Sequence, residues 1–455
     1  MSLNKQFFKF VIPSIIAMWV FSIYTIVDGF FVANFAGELE LSAVTIVIPY
    51  VNFLFAIAII TGVGSQTIIG IELGKGNRDE ANKVFTFILI FILAFAGFLA
   101  ALAIIFMDKI ILFLGANSTL FPLSHEYLSV IVFFSPFYII SYAFEVLVKV
   151  DGFPRTAIIG AVSACLTNII LDYILIDKFH MGVRGAALAT GIAQFLSCVI
   201  FFLHFRAAKG YLRFVKIKMK AKEILSYLKT TVAYGFGEFI SELNTASFVF
   251  IFNLFIIKYI SPEFLSAYAV INYLSVFANS TFQGVCHGTL PLLSYYHGSE
   301  EREKSLKIIK MSFIFIFIIS IIMYAISYFG AEKLFSMFLE NKTMISSSIR
   351  PLRLYALMFF LAGHNLFIAT LSSAIGNPKY SIVINIMRGS VALFLSIYLC
   401  VKILGARYLF LGAFISEFLV FLIAFYSLKK MTKKPKLERA WKKEVKFWRE
   451  PQNPE

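Results

Sequence analysis

Apolar residues run along the chain in long blocks separated by short clusters of charge. A bilayer crossing needs about 20 mostly apolar residues in helical form. Blocks of that kind lie near 8–34, 43–70, 84–107, 127–149, 157–177 and 184–205, and again near 226–258, 265–293, 308–330, 351–375, 380–402 and 405–428. The pattern predicts an all-α polytopic membrane protein with twelve transmembrane helices, grouped six and six. The two opening blocks of each half are longer than a straight crossing needs, which implies tilt or projection beyond the bilayer.

The halves repeat each other. Ala43 pairs with Ala267, Gly64 with Gly288, Gly74 with Gly298, Arg78 with Arg302, Gly152 with Gly376 and Pro154 with Pro378, each pair 224 residues apart. Six crossings per half start both halves on the same side, so the repeats are parallel and related by an axis along the membrane normal. The expected division is a first lobe at 1–205, a basic linker at 206–225, a second lobe at 226–428 and a basic tail at 429–455. A cavity between two such lobes is a common frame for alternating access. An old duplication in a protein that transports nothing is the plainer alternative.

Charge sets the orientation. One side carries Lys5, Lys9, Lys75, Arg78, Lys83, Arg155, the linker from Arg206 to Lys222, Arg302 to Lys310, Lys379 and the tail from Lys429 to Arg449. The other carries far fewer, such as Lys109, Lys178, Lys258 and Lys402, and its first loop holds Glu38 and Glu40. The positive-inside rule then places both termini in the cytoplasm of a multi-pass plasma-membrane protein. The linker residues Leu212, Phe214, Val215, Ile217 and Met219 are expected to lie on the inner leaflet and tie the halves together. The tail stripe Leu437, Trp441, Val445 and Trp448 reads equally as an amphipathic surface segment or a solvated end.

Composition agrees. With 59% hydrophobic and 15% charged residues, the 455-residue chain is far from the ~25% charged residues of soluble domains. That excludes a soluble enzyme, a disordered chain and a disulfide scaffold. A net charge of +15 raises the question of nucleic acid. The basic residues fall between crossings and in the tail, without interleaved aromatics, so no nucleic-acid partner is expected. Cys165, Cys198, Cys286 and Cys400 sit singly in apolar runs and read as small core residues. The first block continues to about Phe35 without a small-residue cleavage site, so it is read as a retained crossing.

Polar residues inside the crossings carry the candidate chemistry, because a carboxylate at the bilayer centre costs at least ~2.5–3.5 kcal/mol. Asp28 lies deep in the first crossing with Tyr24 one turn before it. Asn168 and Asp172 are four apart in the fifth, hence on one helix face. Thr190 lies in the sixth. If these crossings converge, the oxygens suit a proton or a hard cation such as Na⁺. Residues 224 positions on are Phe252, Ala392 and Ser396, so the second half lacks the set. A structural hydrogen-bond cluster, with Lys149 as counter-ion, is the competing reading. Glu145, Glu238, Glu242 and Glu417 are candidates to line a cavity for cationic amphipathic ligands, or to pair with Arg388. His287 and His364 read as hydrogen-bonded helix residues. Pro13, Pro49, Pro136 and Pro291 bend their crossings, and Pro13 precedes Asp28 by fifteen residues, where a change of kink would move the site.

Taken in order, several motifs resemble the multidrug and toxic compound extrusion (MATE) family across nearly the whole length. They are Val27-Asp28-Gly29, the stretch Gly64 to Gly74 with Arg78, Asp151-Gly152-Phe153-Pro154-Arg155, Asn168-x-x-x-Asp172, and Gly182-Val183-Arg184-Gly185-Ala186-Ala187-Leu188-Ala189-Thr190. The resemblance implies a V-shaped pair of six-helix lobes that exports substrates by cation-coupled antiport. It implies a first-lobe cation site at Asp28, Asn168, Asp172 and Thr190, with Tyr24 and Tyr127 nearby, and a bending proline at Pro13. Another branch of the family uses an acid in the tenth crossing. Residues 351–375 hold none, with His364 there instead, which favours the first lobe.

The leading functional expectation is a Na⁺- or H⁺-coupled antiporter exporting organic cations or other amphipathic compounds, with membrane lipids around it and no cofactor; the repeat makes a monomer sufficient. The alternative is a flippase for a lipid-linked precursor, which would line its cavity with Arg and Lys for an anionic head. Here the acids within crossings outnumber Lys149 and Arg388. A major-facilitator loop is absent after the second crossing, which reads Gly74-Lys75-Gly76-Asn77-Arg78-Asp79. An intramembrane enzyme lacks any DDxxD or HExxH motif, and none is expected.

Overall fold

A computed structural model describes residues 2–432 except 208 and 209, and omits the side chains of Tyr24, Thr25, Ile26, Ala33 and Glu38. The proposed tail stripe therefore lies outside the described residues. Twelve membrane-length helices follow one another: α1 (Leu3–Ala36), α2 (Leu39–Gly74), α3 (Arg78–Ile105), α4 (Phe121–Val150), α5 (Pro154–Lys178), α6 (Gly182–Arg206), α7 (Ala221–Tyr259), α8 (Phe264–Gly298), α9 (Arg302–Phe329), α10 (Lys342–Ala374), α11 (Pro378–Leu404) and α12 (Leu411–Thr432). Eleven are long and apolar enough to cross a membrane by length and composition. The other, α8, carries Asn272, Asn279, Gln283 and His287 on its 35 residues, which lowers its mean hydropathy.

The long opening blocks are long helices: 34 residues in α1, 36 in α2 and 39 in α7. At 1.5 Å per residue α7 extends about 58 Å, well beyond a hydrocarbon core of about 30 Å. Large apolar side chains cover the outside of the bundle, with Phe113 90% and Phe329 85% exposed. Lipid, not water, solvates such a surface. The tenth crossing differs from its expected start near 351. It begins at Lys342, contains Pro351, and is interrupted between Ala356 and Phe359.

Both sets of six pack alike. In the first, α1 lies on α5, α5 on α6, α6 on α4 and α4 on α2; in the second, α7 lies on α11, α11 on α12, α12 on α10 and α10 on α8. The sets meet where α1 and α2 cross α7 and α8. Glycines make that meeting possible. A Cβ on Gly74 would overlap the carbonyl oxygen of Tyr295, and one on Gly298 would overlap that of Ile71. These are the same contact seen from each side of the repeat, since 71 and 295 also lie 224 apart. Gly64 presses on the backbone of Thr231, Gly235 on Ile60, Gly284 on Ile15 and Gly288 on Val11. The lobes thus touch backbone to backbone through the half of the bundle that carries residues 3 and 432. Trp19 Nε1 donating to Thr281 at 3.0 Å and Ser22 against Ser280 at 3.0 Å continue the seam toward the middle.

The linker docks on the first lobe. Tyr211 and Leu212 donate their backbone N–H groups to Asp151 at 2.6 and 2.8 Å, and His204 lies 2.9 Å from the other Asp151 oxygen. Arg213 N–H reaches Asn82 at 2.7 Å and Val215 N–H reaches Thr86 at 3.1 Å. Leu212 is buried, so the apolar linker residues serve at least partly as a clasp on protein.

Candidate functional site

Local helix chemistry positions the first-lobe group. Asn168 and Asp172 face inward from α5, both fully buried. Directly after Asp172 the helix widens into a π segment, Tyr173–Lys178; such segments often mark functional positions in helices. Asn168 Nδ2 donates to Thr190 Oγ1 on α6 at 3.3 Å. From α1 the Asp28 carboxyl lies beside Asp172 and Asn168. Tyr127, buried on α4, lies close enough to feel the charge of both aspartates. The structure thus brings Asp28, Asn168, Asp172, Thr190 and Tyr127 together. The Tyr24 side chain lies outside the described residues.

The decisive property of the cluster is an excess of acceptors. Asp28 Oδ1, Asn168 Oδ1 and both carboxylate oxygens of Asp172 are buried without a hydrogen-bond partner among the described residues. A buried acceptor without a donor costs about 1–3 kcal/mol, and more when charged. Oxygens from two carboxyls and an amide, with a hydroxyl beside them, fit a proton or a hard alkali cation. Among the described residues no group of three or more His, Cys, Asp and Glu is placed to hold a metal ion. Lys149 is not the counter-ion of this cluster, because its ammonium is 2.7 Å from Glu145.

The other candidate acids separate into two groups. Glu145, Glu238 and Glu242 each lie within electrostatic reach of the buried Tyr142 hydroxyl. Glu238 accepts from Thr370 at 2.7 Å and Glu242 from Gln283 at 3.3 Å. Glu417 stands apart, fully buried. It accepts from Arg388 Nε at 2.7 Å and from Asn365 at 2.7 Å. The arginine in the eleventh crossing is therefore paired with Glu417, not with Glu238 or Glu242. Pro13 lies inside α1, between the two residues, Val11 and Ile15, that press on Gly288 and Gly284. The two ring nitrogens of His364 lie 2.8 and 3.2 Å from the carbonyls of Phe360 and Phe313, and a neutral ring donates to one of them.

Sequence reasoning passed over the second-lobe amides. Asn244, Asn279 and Asn365 all gather around the Arg388–Glu417 pair. Their signal was uncharged polar residues inside apolar blocks.

Comparison with known proteins is consistent in every direction. The MatE family profile matches the chain twice, at residues 13–174 and 238–399, once in each half. The multidrug export protein MepA of Staphylococcus aureus strain MRSA252 is 25% identical over 390 residues, covering 85% of each chain. MepA of Staphylococcus saprophyticus is 24% identical over 398 residues, covering 86% of each. Among solved structures, a multidrug resistance MATE transporter of the MOP superfamily in an outward-facing conformation superposes with a TM-score of 0.88 at 20% identity, covering 96% of this chain and 97% of that one. A MATE crystal structure in a bent conformation gives 0.87 at 20% identity, covering 97% of both. These likenesses establish the all-helical two-lobe fold, and the doubled profile match covers most of the sequence. The chain belongs to the MatE family, and it is a multi-pass membrane transporter rather than an enzyme.

Proposed function

We propose that this protein exports organic cations and other amphipathic compounds across the plasma membrane by Na⁺- or H⁺-coupled antiport. The carrying observation is the buried set of unpartnered oxygens on Asp28, Asn168 and Asp172. A group that alternately binds and releases a cation needs acceptors that protein donors do not already occupy. The relatives named multidrug export proteins support the substrate class. Both termini lie in the cytoplasm in this reading, following the Lys and Arg of the connecting segments. The glycine seam then closes the cytoplasmic half, and rocking of the lobes about it opens either side in turn. Loading of the Asp28 site is read through α1, whose Pro13 sits within the seam and supplies the bend that links the two. The same reading takes 1–205 and 226–428 as the two lobes, 206–225 as a basic cytoplasmic linker and 429–455 as a basic cytoplasmic tail.

The test is export of a fluorescent organic cation from proteoliposomes under a pH gradient or a Na⁺ gradient imposed separately. Transport driven by one gradient identifies the coupling ion. Transport driven by neither would overturn the antiport reading.

Glu242 provides a second check. Its carboxylate accepts from Gln283 at 3.3 Å, and with Glu238 and Glu145 it acts electrostatically on the Tyr142 hydroxyl. Glu242→Gln is expected to lower export of cationic substrates by about tenfold, equivalent to about 1.4 kcal/mol, while leaving neutral ones nearly unchanged. Equal losses for both classes would remove charge pairing from its role.

A further inference from the structure

Each lobe encloses a pocket, and the two pockets occupy the same place in the repeat. The first-lobe pocket is lined by Val20, Phe21, Phe55, Ala164 and Ala193 among others. The second-lobe pocket is lined by Asn244, Thr245, Asn279 and Arg388 among others. At the 224-residue offset, Val20 corresponds to Asn244, Phe21 to Thr245, Phe55 to Asn279 and Ala164 to Arg388. Ala193 corresponds to Glu417, the partner of Arg388. At these five positions the side chains are apolar in the first lobe and polar in the second, although the first-lobe pocket has its own polar residues elsewhere, such as Ser141, Glu145 and Gln194.

The fold does not require polar side chains at these five positions, since the first lobe holds the same crossings with alanine, valine and phenylalanine there. Arg388 and Glu417 are buried as a pair, whereas Asn272 and Asn279 are half-buried and Thr245 is exposed, so the neutral donors and acceptors of the pocket are open to a ligand. The local backbone is shaped to hold them. Arg388 lies in a π segment, Met387–Val391, in the middle of α11. The adjacent Gly389 is packed so closely against the Asn244 amide that no side chain fits there. Arg388 itself is 5% exposed and is aimed by Glu417 on Nε at 2.7 Å and by Asn279 on an Nη at 3.4 Å.

The pairing with Glu417 cancels the charge of Arg388. What the pocket offers is hydrogen bonding without net charge: amide donors and acceptors from Asn272 and Asn279, the Thr245 hydroxyl, and guanidinium N–H groups that Glu417 and Asn279 leave over. We propose that the second-lobe pocket is a binding subsite for an uncharged, multiply hydrogen-bonding group, of the kind a sugar presents, carried by an otherwise apolar molecule. The proposal deepens the exporter reading and rests on it for the route by which such a molecule enters and leaves. A pocket built to hydrogen-bond a ligand rejects the analogue lacking those groups, because its own polar atoms are then left unpaired.

The experiment measures equilibrium binding of two uncharged fluorescent coumarins to the full-length protein in lipid nanodiscs free of glycoside detergent. The probes are 4-methylumbelliferyl β-glucoside and 7-methoxy-4-methylcoumarin, which differ in the sugar. The wild-type protein is expected to bind the glucoside at least about tenfold more tightly. Asn279→Leu and Thr245→Val are each expected to remove most of that preference through weaker glucoside binding, with the methoxy compound unaffected. Phe55→Leu in the first-lobe pocket is expected to leave the preference intact. Arg388 is left in place, because its loss would strand the buried Glu417. Equal binding of the two coumarins, no binding of either, or a preference that survives both second-lobe variants would overturn the proposal. Binding is read without any gradient, so a failure of coupled export leaves this result standing, and the reverse also holds.

Discussion

Asp172→Asn is expected to reduce gradient-driven export to the level of empty liposomes without weakening the fold. The carboxylate has neither oxygen bonded by any described donor, and its nearest charged neighbour is another carboxyl, Asp28. An amide in its place removes a buried like-charge contact and brings an N–H that can bond Asp28. Apparent melting temperature in detergent is therefore expected to stay level or rise, while any stabilisation by the coupling ion disappears. Asp28→Asn should behave in the same way. Thr190→Val differs in kind, since Thr190 acts through the 3.3 Å bond from Asn168. It should weaken coupling-ion affinity by about tenfold or more with the maximal rate largely kept. The competing account, a hydrogen-bond cluster that merely braces the lobe, makes the opposite forecast. Under it Asp172→Asn would lower the melting temperature by about 5 °C or more and export would fall only as folded protein is lost. Lys149, the counter-ion that account calls on, is paired with Glu145 instead.

The fold was legible because a bilayer leaves the backbone little choice: each crossing must be a helix, and each must be apolar outside. The exception shows the limit of that logic. The start of α10 reads Lys342-Thr-Met-Ile-Ser-Ser-Ser-Ile-Arg-Pro and carries Arg350 and Arg353, which argue against a crossing. In the folded chain Arg353 is satisfied by the carbonyl of Tyr328, at 3.0 Å, and lies over that ring. A charge paired at a neighbouring helix end no longer bars the helix. The proposed cation site was readable for a related reason, since two acids and an amide in apolar surroundings stand out and the four-residue spacing aligns two of them. Their convergence was not readable, since it depends on α1 and α6 both lying against α5. The partner of Arg388 was equally open, with four glutamates as candidates. Packing of α11 on α12 chose Glu417. Amides inside crossings gave the weakest signal, because an uncharged polar group costs less to bury than an ion and so stands out less.

The largest conformational prediction concerns the glycine seam. Gly74 and Gly298 face each other's helices through reciprocal backbone contacts, and neither has room for a Cβ. A backbone carbonyl cannot swing aside as a side chain can. Gly74→Leu is therefore expected to wedge α2 from α8, hold the lobes apart on the side of the termini, and abolish export while the protein remains folded in the membrane. The complementary change is a staple. A Cβ at Gly70 would lie 2.9 Å from that of Ser294, against about 3.5–4.5 Å across a disulfide, so the pair Gly70→Cys and Ser294→Cys needs the helices to ease apart by about 1 Å. With Cys165, Cys198, Cys286 and Cys400 replaced, oxidation should cross-link the two lobes and stop export, and a reductant should restore it. Wedge and staple trap opposite states, yet both should stop transport, because only a protein that passes between the states carries substrate. Fully cross-linked protein that still exports at the wild-type rate would show that the lobes do not separate along this seam, and alternating access would then have to be sought in motions inside each lobe.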